Sequence, residues 1–192
     1  VCNNTTTKTQ VITVADTTKP SLTVPADTTI EGCNETAITV LVYSSTVVTI
    51  PPASWAGAGI TASDTCSAVT VTYVDSNSGT CPVLVTRTFA ATDVCNNTTT
   101  KTQVITVADT TKPTLTVPAD TTIEGCDETA ITGLVYSSTV VTIPPASWAG
   151  AGITAGDTCS AVTVTYVDSK SGTCPVLVTR TFAATDVCNN TT

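Results

Sequence analysis

Between Thr98 and Val107 the chain alternates, with Gln103, Ile105 and Val107 on one side and Thr102, Val104 and Thr106 on the other. Period-two alternation predicts a half-buried β-strand, here with Ile105 and Val107 inward and the threonines outward. Asp109-Thr110-Thr111-Lys112-Pro113 follows. Its proline fixes φ and pushes the preceding residue towards extended geometry, so this strand is expected to close one unit and step stiffly into the next. Upstream, Ser21–Val24 and Thr28–Glu31 are predicted as short strands around Pro25-Ala26-Asp27. Thr36–Tyr43 and Thr46–Ile50 are expected to follow on either side of Ser44-Ser45. Pro51-Pro52 stops regular structure, and residues 53–59 read as an irregular crossover. Ala68–Val74 places Val69, Val71 and Tyr73 on one face, and a turn at Ser76-Asn77-Ser78-Gly79 leads into a strand from Val83 to Ala91. Arg87 interrupts that last pattern, sharing a face with Val85 and Phe89. Either the face turns outward there or the guanidinium is buried against a carboxylate.

The whole pattern occurs twice. Val94–Pro113 is identical to Val1–Pro20, a third copy begins at Val187, and the offset is 93 residues each time. The two periods differ at five positions: Ser21/Thr114, Asn34/Asp127, Val40/Gly133, Ser63/Gly156 and Asn77/Lys170. Self-similarity at this spacing is too long for a solenoid turn and suits a small domain. About seven short strands in ~90 residues is the signature of an immunoglobulin-like β-sandwich. The expected fold is therefore all-β, in tandem sandwich repeats. Residues 1–15 form the last strand of a preceding repeat or a donor strand, 16–108 the first repeat, and 109–192 a second whose last strand is cut short.

Composition agrees with strands. There are 47 threonines, many valines, few aromatics and no methionine, a β-branched mixture suited to pleated surfaces. Charge is sparse and acidic, 15 carboxylates against 7 Lys and Arg, with no basic footprint for nucleic acid or an anionic membrane. No hydrophobic run reaches the ~18–20 residues of a membrane-spanning helix, so no direct membrane insertion is expected. No signal peptide or sorting signal is visible, and the sequence reads as an internal, mature stretch.

Nine cysteines fall at Cys2, Cys33, Cys66, Cys81, Cys95, Cys126, Cys159, Cys174 and Cys188. Four per period without a CxxC pair, in a chain without histidine, argue against zinc and for disulfides in an oxidising, extracellular setting. Four cysteines allow three pairings. If the last strand of a unit runs from bottom to top, Cys33 and Cys81 lie at the top and Cys66 and Cys95 at the bottom. That favours Cys33–Cys81 and Cys66–Cys95, repeated as Cys126–Cys174 and Cys159–Cys188, with Cys2 belonging to a preceding unit.

The runs VPADTTIEGC (Val24 to Cys33), ATDVCNN (Ala91 to Asn97) and TQVITVADTTKP (Thr102 to Pro113) resemble the hyalin-repeat (HYR-like) domains of long cell-surface proteins of Bacteroidetes, gliding adhesins exported by the type IX route among them. The resemblance covers nearly the whole period, least in Leu41–Thr61. Two departures stand out: Asn96 occupies a place usually held by glycine, and Gly32 sits between Glu31 and Cys33. The resemblance implies an immunoglobulin-like sandwich and an extracellular adhesive or structural role, with no catalytic residues.

Candidate sites are few. Without histidine and with oxidised cysteines no nucleophilic centre is expected, and no insertion is present to hold a sugar between paired carboxylates. No enzyme is expected. Asp109, Asp157 and Asp186, with Glu31, Glu35 and Asp75, are a candidate calcium cluster at the junction of the periods, since hard cations take several oxygen ligands; the competing reading is solvated loop acids balanced in part by Lys112. Asp-Thr-Thr triplets make Thr17, Thr28, Thr110 and Thr121 candidates for O-glycosylation. Asn-Xaa-Thr sequons occur at Asn3, Asn4, Asn34, Asn96 and Asn97, and Asp127 removes the one matching Asn34. Trp55 and Trp148 are either core plugs or platforms for a sugar. The expected function is a non-enzymatic surface fibre or stalk, located at the cell surface or secreted, whose partners are neighbouring repeats in the same or identical chains. The alternatives are a multivalent module binding surface glycans and the subunit of a donor-strand filament.

Overall fold

The computed structural model describes residues 2–192. The chain is mostly β-strand with little helix. In order it forms β1 (Ser21–Thr23), β2 (Thr28–Glu31), a 3-10 turn at Glu35–Ala37, β3 (Val48–Ile50), the one-turn helix α1 (Pro52–Trp55) running into a 3-10 turn, β4 (Thr61–Ser63), β5 (Thr70–Ser78), β6 (Val83–Thr92) and β7 (Thr98–Ala108). Then come β8 (Thr114–Thr116), a 3-10 turn at Glu128–Ala130, β9 (Val141–Ile143), α2 (Pro145–Trp148) with its own 3-10 turn, β10 (Thr154–Gly156), β11 (Thr163–Ser171) and β12 (Leu177–Thr185). Four sheets result, with strand orders β1-β4, β8-β10, β12-β11-β9 and β2-β7-β6-β5-β3. β2 joins β7 in parallel, Thr28 opposite Ile105 and Glu31 opposite Ala108.

Two compact units share these elements. The first comprises the chain up to Ala26, Ser44–Ser76 and Thr86–Val104; the second comprises Asp27–Tyr43, Asn77–Val85 and everything from Ile105. In the first unit Leu22, Ile50, Ile60, Val71, Tyr73, Phe89 and Ala91 are buried. Pro51-Pro52 starts α1, where a missing N–H costs nothing, and Gly59 ends the helical stretch at φ +69°, a left-handed conformation that glycine adopts without strain. Trp55 is half-buried and its Nε1–H donates to the Ile50 carbonyl at 2.9 Å. In the second unit one cluster joins Ile38, Val83, Val85, Ile105 and Val107, and another joins Ile143, Ile153, Val164, Tyr166 and Ala184.

Several expected elements form differently. The strand expected over Thr36–Tyr43 is a 3-10 turn and irregular chain, because the Asn34 side chain accepts from Thr36 N–H and caps a turn there. Only Val48–Ile50 of Thr46–Ile50 pairs, opposite Val71–Tyr73. Residues 53–58 are helical, Thr61–Ser63 is a strand, and β5 runs on through Ser78 so that the turn falls at Gly79. The strand expected within residues 1–15 does not form among the described residues 2–15: Val11, Ile12 and Val14 are 89%, 73% and 94% exposed. Nor does the counterpart of β2 at residues 121–124.

Candidate functional site

Within the second unit, the turn after β2 meets the loops around Asp157 and Asp186, and four of the nine cysteines converge there with Asp109, Asp157 and Asp186. Gly32 makes the approach possible. A Cβ on Gly32 would stand 2.4 Å from Ala37 Cβ and 3.2 Å from Val107 Cγ1, so no larger residue fits between Glu31 and Cys33. Asp157 organises its loop through Oδ1, which accepts from the N–H groups of Cys159 and Ser160. Asp186 holds the next loop: its carboxylate accepts from Asn190 N–H and from Asn190 Nδ2, and Nδ2 also donates to the Asp109 carbonyl at 3.0 Å. Asn189 accompanies this turn at φ +66°, and Asn96 in the first unit at φ +67°; asparagine tolerates the left-handed region by local hydrogen bonding, which accounts for its standing where glycine was the expected residue.

These loops bring two pairs of cysteines together. Cys33 bonds Cys159, with Cα atoms 4.8 Å apart, and Cys81 bonds Cys188, with Cα atoms 5.3 Å apart. The pairings Cys33–Cys81, Cys66–Cys95, Cys126–Cys174 and Cys159–Cys188 are therefore incorrect. Cys33 and Cys81 are bonded to cysteines of the following sequence period, because the turn after β2 and the turn before β6 both face the Asp157 and Asp186 loops. Cys2, Cys66, Cys95, Cys126 and Cys174 are free and exposed.

The carboxylates divide. Glu31 accepts from Thr110 N–H and from the Thr110 and Thr111 hydroxyls, which hold its carboxyl below the usual range. Asp186 is taken up by Asn190. Asp75, in the first unit, is engaged by Arg87 at 2.7 Å and by Ser44 N–H, so it does not belong to a cation cluster. Glu35 opens the 3-10 turn. What remains is Asp109 and Asp157, each with a buried Oδ2 that has no hydrogen-bond partner, and these carboxylates lie within 4.8 Å of each other and of Cys159 Sγ. Burial pushes the Asp109 carboxyl up, Thr111 N–H opposes it, and the charges of Asp157, Asp186 and Glu31 add to the rise. A hard cation takes six to eight oxygens, of which this pair supplies two. The cleft lined by Gly32, Cys33, Cys81, Asp109, Cys159 and Cys188 has a volume of about 40 Å³, room for a few waters and too small for a sugar ring.

The candidate glycosylation threonines Thr17, Thr28, Thr110 and Thr121 are all exposed, although the Thr110 hydroxyl is bound to Glu31. Among the sequons, Asn97 is half-buried and its amide donates to Asp93 and to the Asp16 carbonyl, whereas Asn3, Asn4, Asn34 and Asn96 are exposed. Trp148 packs against the second core and donates to the Ile143 carbonyl, as Trp55 does to Ile50, so both indoles are committed to their own units. The Asp–Asn clasp was missed in the sequence; the recurrence of ATDVCNN was its only trace. No protein-family model matches the chain, and no curated protein matches it.

Proposed function

We propose that the chain is a non-enzymatic, extracellular structural or adhesive protein, built from tandem immunoglobulin-like sandwich repeats of the hyalin-repeat kind and serving as a surface fibre or stalk. The observation that carries this reading is the pair of disulfides, Cys33–Cys159 and Cys81–Cys188, which tie one sequence period to the next. A bond inside a repeat stabilises that repeat; a bond between repeats resists their separation under pull. Such bonds persist in oxidising surroundings, outside the cytoplasm. The sandwich reading draws support from the pairing of β1 with β4 beside a separate five-stranded sheet, and from buried residues alternating along β5, β6 and β7. Threonine-rich outer faces, the small cleft and the committed tryptophans favour a spacer over a sugar-binding module.

Protease shaving of intact source cells, read by an antibody to the chain, tests the reading. Loss of the chain while a cytoplasmic marker stays intact is the expected result. Full protection of the chain until the cells are lysed would overturn it.

A further inference from the structure

We propose that the second unit binds a divalent cation of the calcium class between Asp109 and Asp157, with Asp186 beside them, so that the ion ties three segments of the unit together.

Each of these aspartates directly follows the last residue of a strand: Ala108 of β7, Gly156 of β10 and Thr185 of β12. Three strand ends therefore deliver their carboxylates to one place. Asp109 is only 6% exposed, and its Oδ2 is buried without a hydrogen-bond partner, as is Oδ2 of Asp157. The other oxygen of each is committed to its own loop. Asp109 Oδ1 accepts from Thr111 N–H at 3.1 Å, and Asp157 Oδ1 accepts from the N–H groups of Cys159 and Ser160. Local hydrogen bonding thus orients both side chains and leaves one oxygen of each without a donor, while the two carboxylates lie within 4.8 Å of one another. A buried carboxylate oxygen in that state is costly unless a proton or a cation answers it. Among the described residues no lysine or arginine pairs with either aspartate. The charges of Asp186 and Glu31 also bear on Asp109. A proton would answer one of these four negative charges; a divalent ion answers two.

The donor set selects the metal. Cys159 Sγ lies close to the same carboxylates, but it is bonded to Cys33, and a disulfide sulfur is not the thiolate that soft metals take. What remains is oxygen, which suits a hard cation. Calcium–oxygen distances of about 2.3–2.6 Å let one ion reach two oxygens at this separation. Asp186 is held next to Asp109 by Asn190, whose Nδ2 donates to both the Asp186 carboxylate and the Asp109 carbonyl. Each Asp186 oxygen accepts one hydrogen bond from Asn190 and keeps a lone pair for the ion. Waters in the cleft against Asp109 complete the shell. So few protein ligands place the affinity at the weak end of calcium sites, about 10⁻⁴–10⁻³ M. The arrangement recurs in the first unit, where Asp64 directly follows β4 and the Oδ2 atoms of Asp16 and Asp64 are likewise buried without a partner. Both of those residues are half-buried, and the enclosed Asp109 makes the second unit the stronger site. Binding stands on this geometry; filling of the site in life rests on the extracellular reading above, since so weak a site fills only where calcium is abundant.

The test uses the oxidised 192-residue chain carrying Asp64→Asn, which silences the first-unit cluster while the Asn Oδ1 keeps the hydrogen bonds to Cys66 and Ser67 N–H. After stripping with a chelator it is dialysed to equilibrium against radioactive calcium at pH 7, and melted in calcium and in chelator. One calcium per chain at about 10⁻⁴–10⁻³ M, and a higher melting temperature in calcium, are the expected results. Adding Asp157→Asn or Asp109→Asn should weaken binding by about tenfold or more and abolish the effect of calcium on melting. Asn Oδ1 preserves the loop hydrogen bonds in both variants, and melting in chelator shows that each is folded. No saturable binding up to about 10 mM calcium, binding unchanged in both variants, or binding of zinc but not calcium would each overturn the proposal. Calcium binding by a chain that shaving finds inside the cell would fail the functional reading alone; a surface-exposed chain that takes up no calcium would fail this one alone.

Discussion

Arg87 lies in the middle of an apolar strand face at 2% exposure because Asp75 meets it twofold, Nε to Oδ1 and the outer guanidinium nitrogen to Oδ2, both at 2.7 Å. The guanidinium carbon also stands 4.5 Å over the Tyr73 ring. Removing one member of a buried pair leaves the other uncompensated, at about 3–5 kcal/mol, whereas replacing both by apolar residues is close to neutral. Arg87→Met should therefore lower urea stability by about that much, and Asp75→Leu/Arg87→Met should recover most of it. Arg180→Met should cost less, since the Arg180 side chain is already 19% exposed beside Asp168. The sequence posed Arg87 as outward or paired; it could not choose, because the partner lies on a neighbouring strand. Differences between the periods follow similar local logic. Thr114 keeps the hydrogen bond of Ser21 to the facing carbonyl, Asp127 keeps the capping role of Asn34, and Lys170 gains an ion pair with Glu128. The Val40-to-Gly133 difference coincides with a shift of the left-handed residue from Leu41 to Gly133.

Asp109 runs the opposite way to Glu31, Asp93, Asp127, Glu128 and Asp168, whose carboxyls are all lowered. Burial, and then the charges of Asp157, Asp186 and Glu31, raise its pKa in the folded chain. The folded state takes up a proton before the unfolded state does, so this group adds stability as pH falls through its folded pKa and withdraws it as pH rises. Asp168 is the reverse: burial pushes it up, but Arg180 and Ser137 N–H hold it below its ordinary value, and its contribution is lost as pH falls through that lowered pKa. Asp109→Asn is expected to raise the melting temperature at pH 7 in the presence of a chelator. It should also remove the stability that Asp109 adds as pH falls through its raised folded pKa. A melting temperature unchanged at pH 7 would contradict the orphaned carboxylates as a source of strain.

Strands were legible where alternation was strong and a partner lay within the same chain. β5, β6 and β7 follow the pattern of buried and half-buried positions that their sequences predict. The same residues that make β7 remain outside any strand at 5–15, because a ladder needs an opposing edge and no described residue supplies one there. Thr36–Tyr43 failed for a different reason: Ile38 is buried but Val40 and Val42 are 58% and 63% exposed, so its alternation does not report a sheet face. Gly32, which looked like an extra residue beside a cysteine, sets how closely the capped turn packs on β7. Gly32→Ala forces a Cβ to within 2.4 Å of Ala37 Cβ and should cost about 1–3 kcal/mol, as overpacking does. Gly32→Ala combined with Ala37→Gly opens the space again and should regain part of that loss in the same denaturation assay.

Strand direction in the sequence predicts Cys33 and Cys81 at one level of a period and Cys66 and Cys95 at the other; the two bonds join Cys33 and Cys81 to Cys159 and Cys188, which hold the places of Cys66 and Cys95 in the next period. Their partners were not readable, because topology inside one repeat says nothing about which loop of the next repeat faces it. The consequence is energetic. Cys33–Cys159 spans 126 residues and Cys81–Cys188 spans 107, far longer than the loops of roughly 30–50 residues that pairing within a period would close. A closed loop near 100 residues restricts the unfolded chain by about 4.7 kcal/mol, against about 3–4 for the shorter ones. The two loops overlap, so the second bond adds less than the first. Cys33→Ser/Cys159→Ser should therefore lower the guanidinium midpoint modestly while Cys81–Cys188 remains, and removing all four cysteines should lower it by more than twice that step. Non-reducing peptide maps showing Cys33 joined to Cys81 would overturn both the bonds and this ordering. If the two double variants and the quadruple variant instead add linearly, the bonds close independent loops and the second unit is not held as one covalent frame.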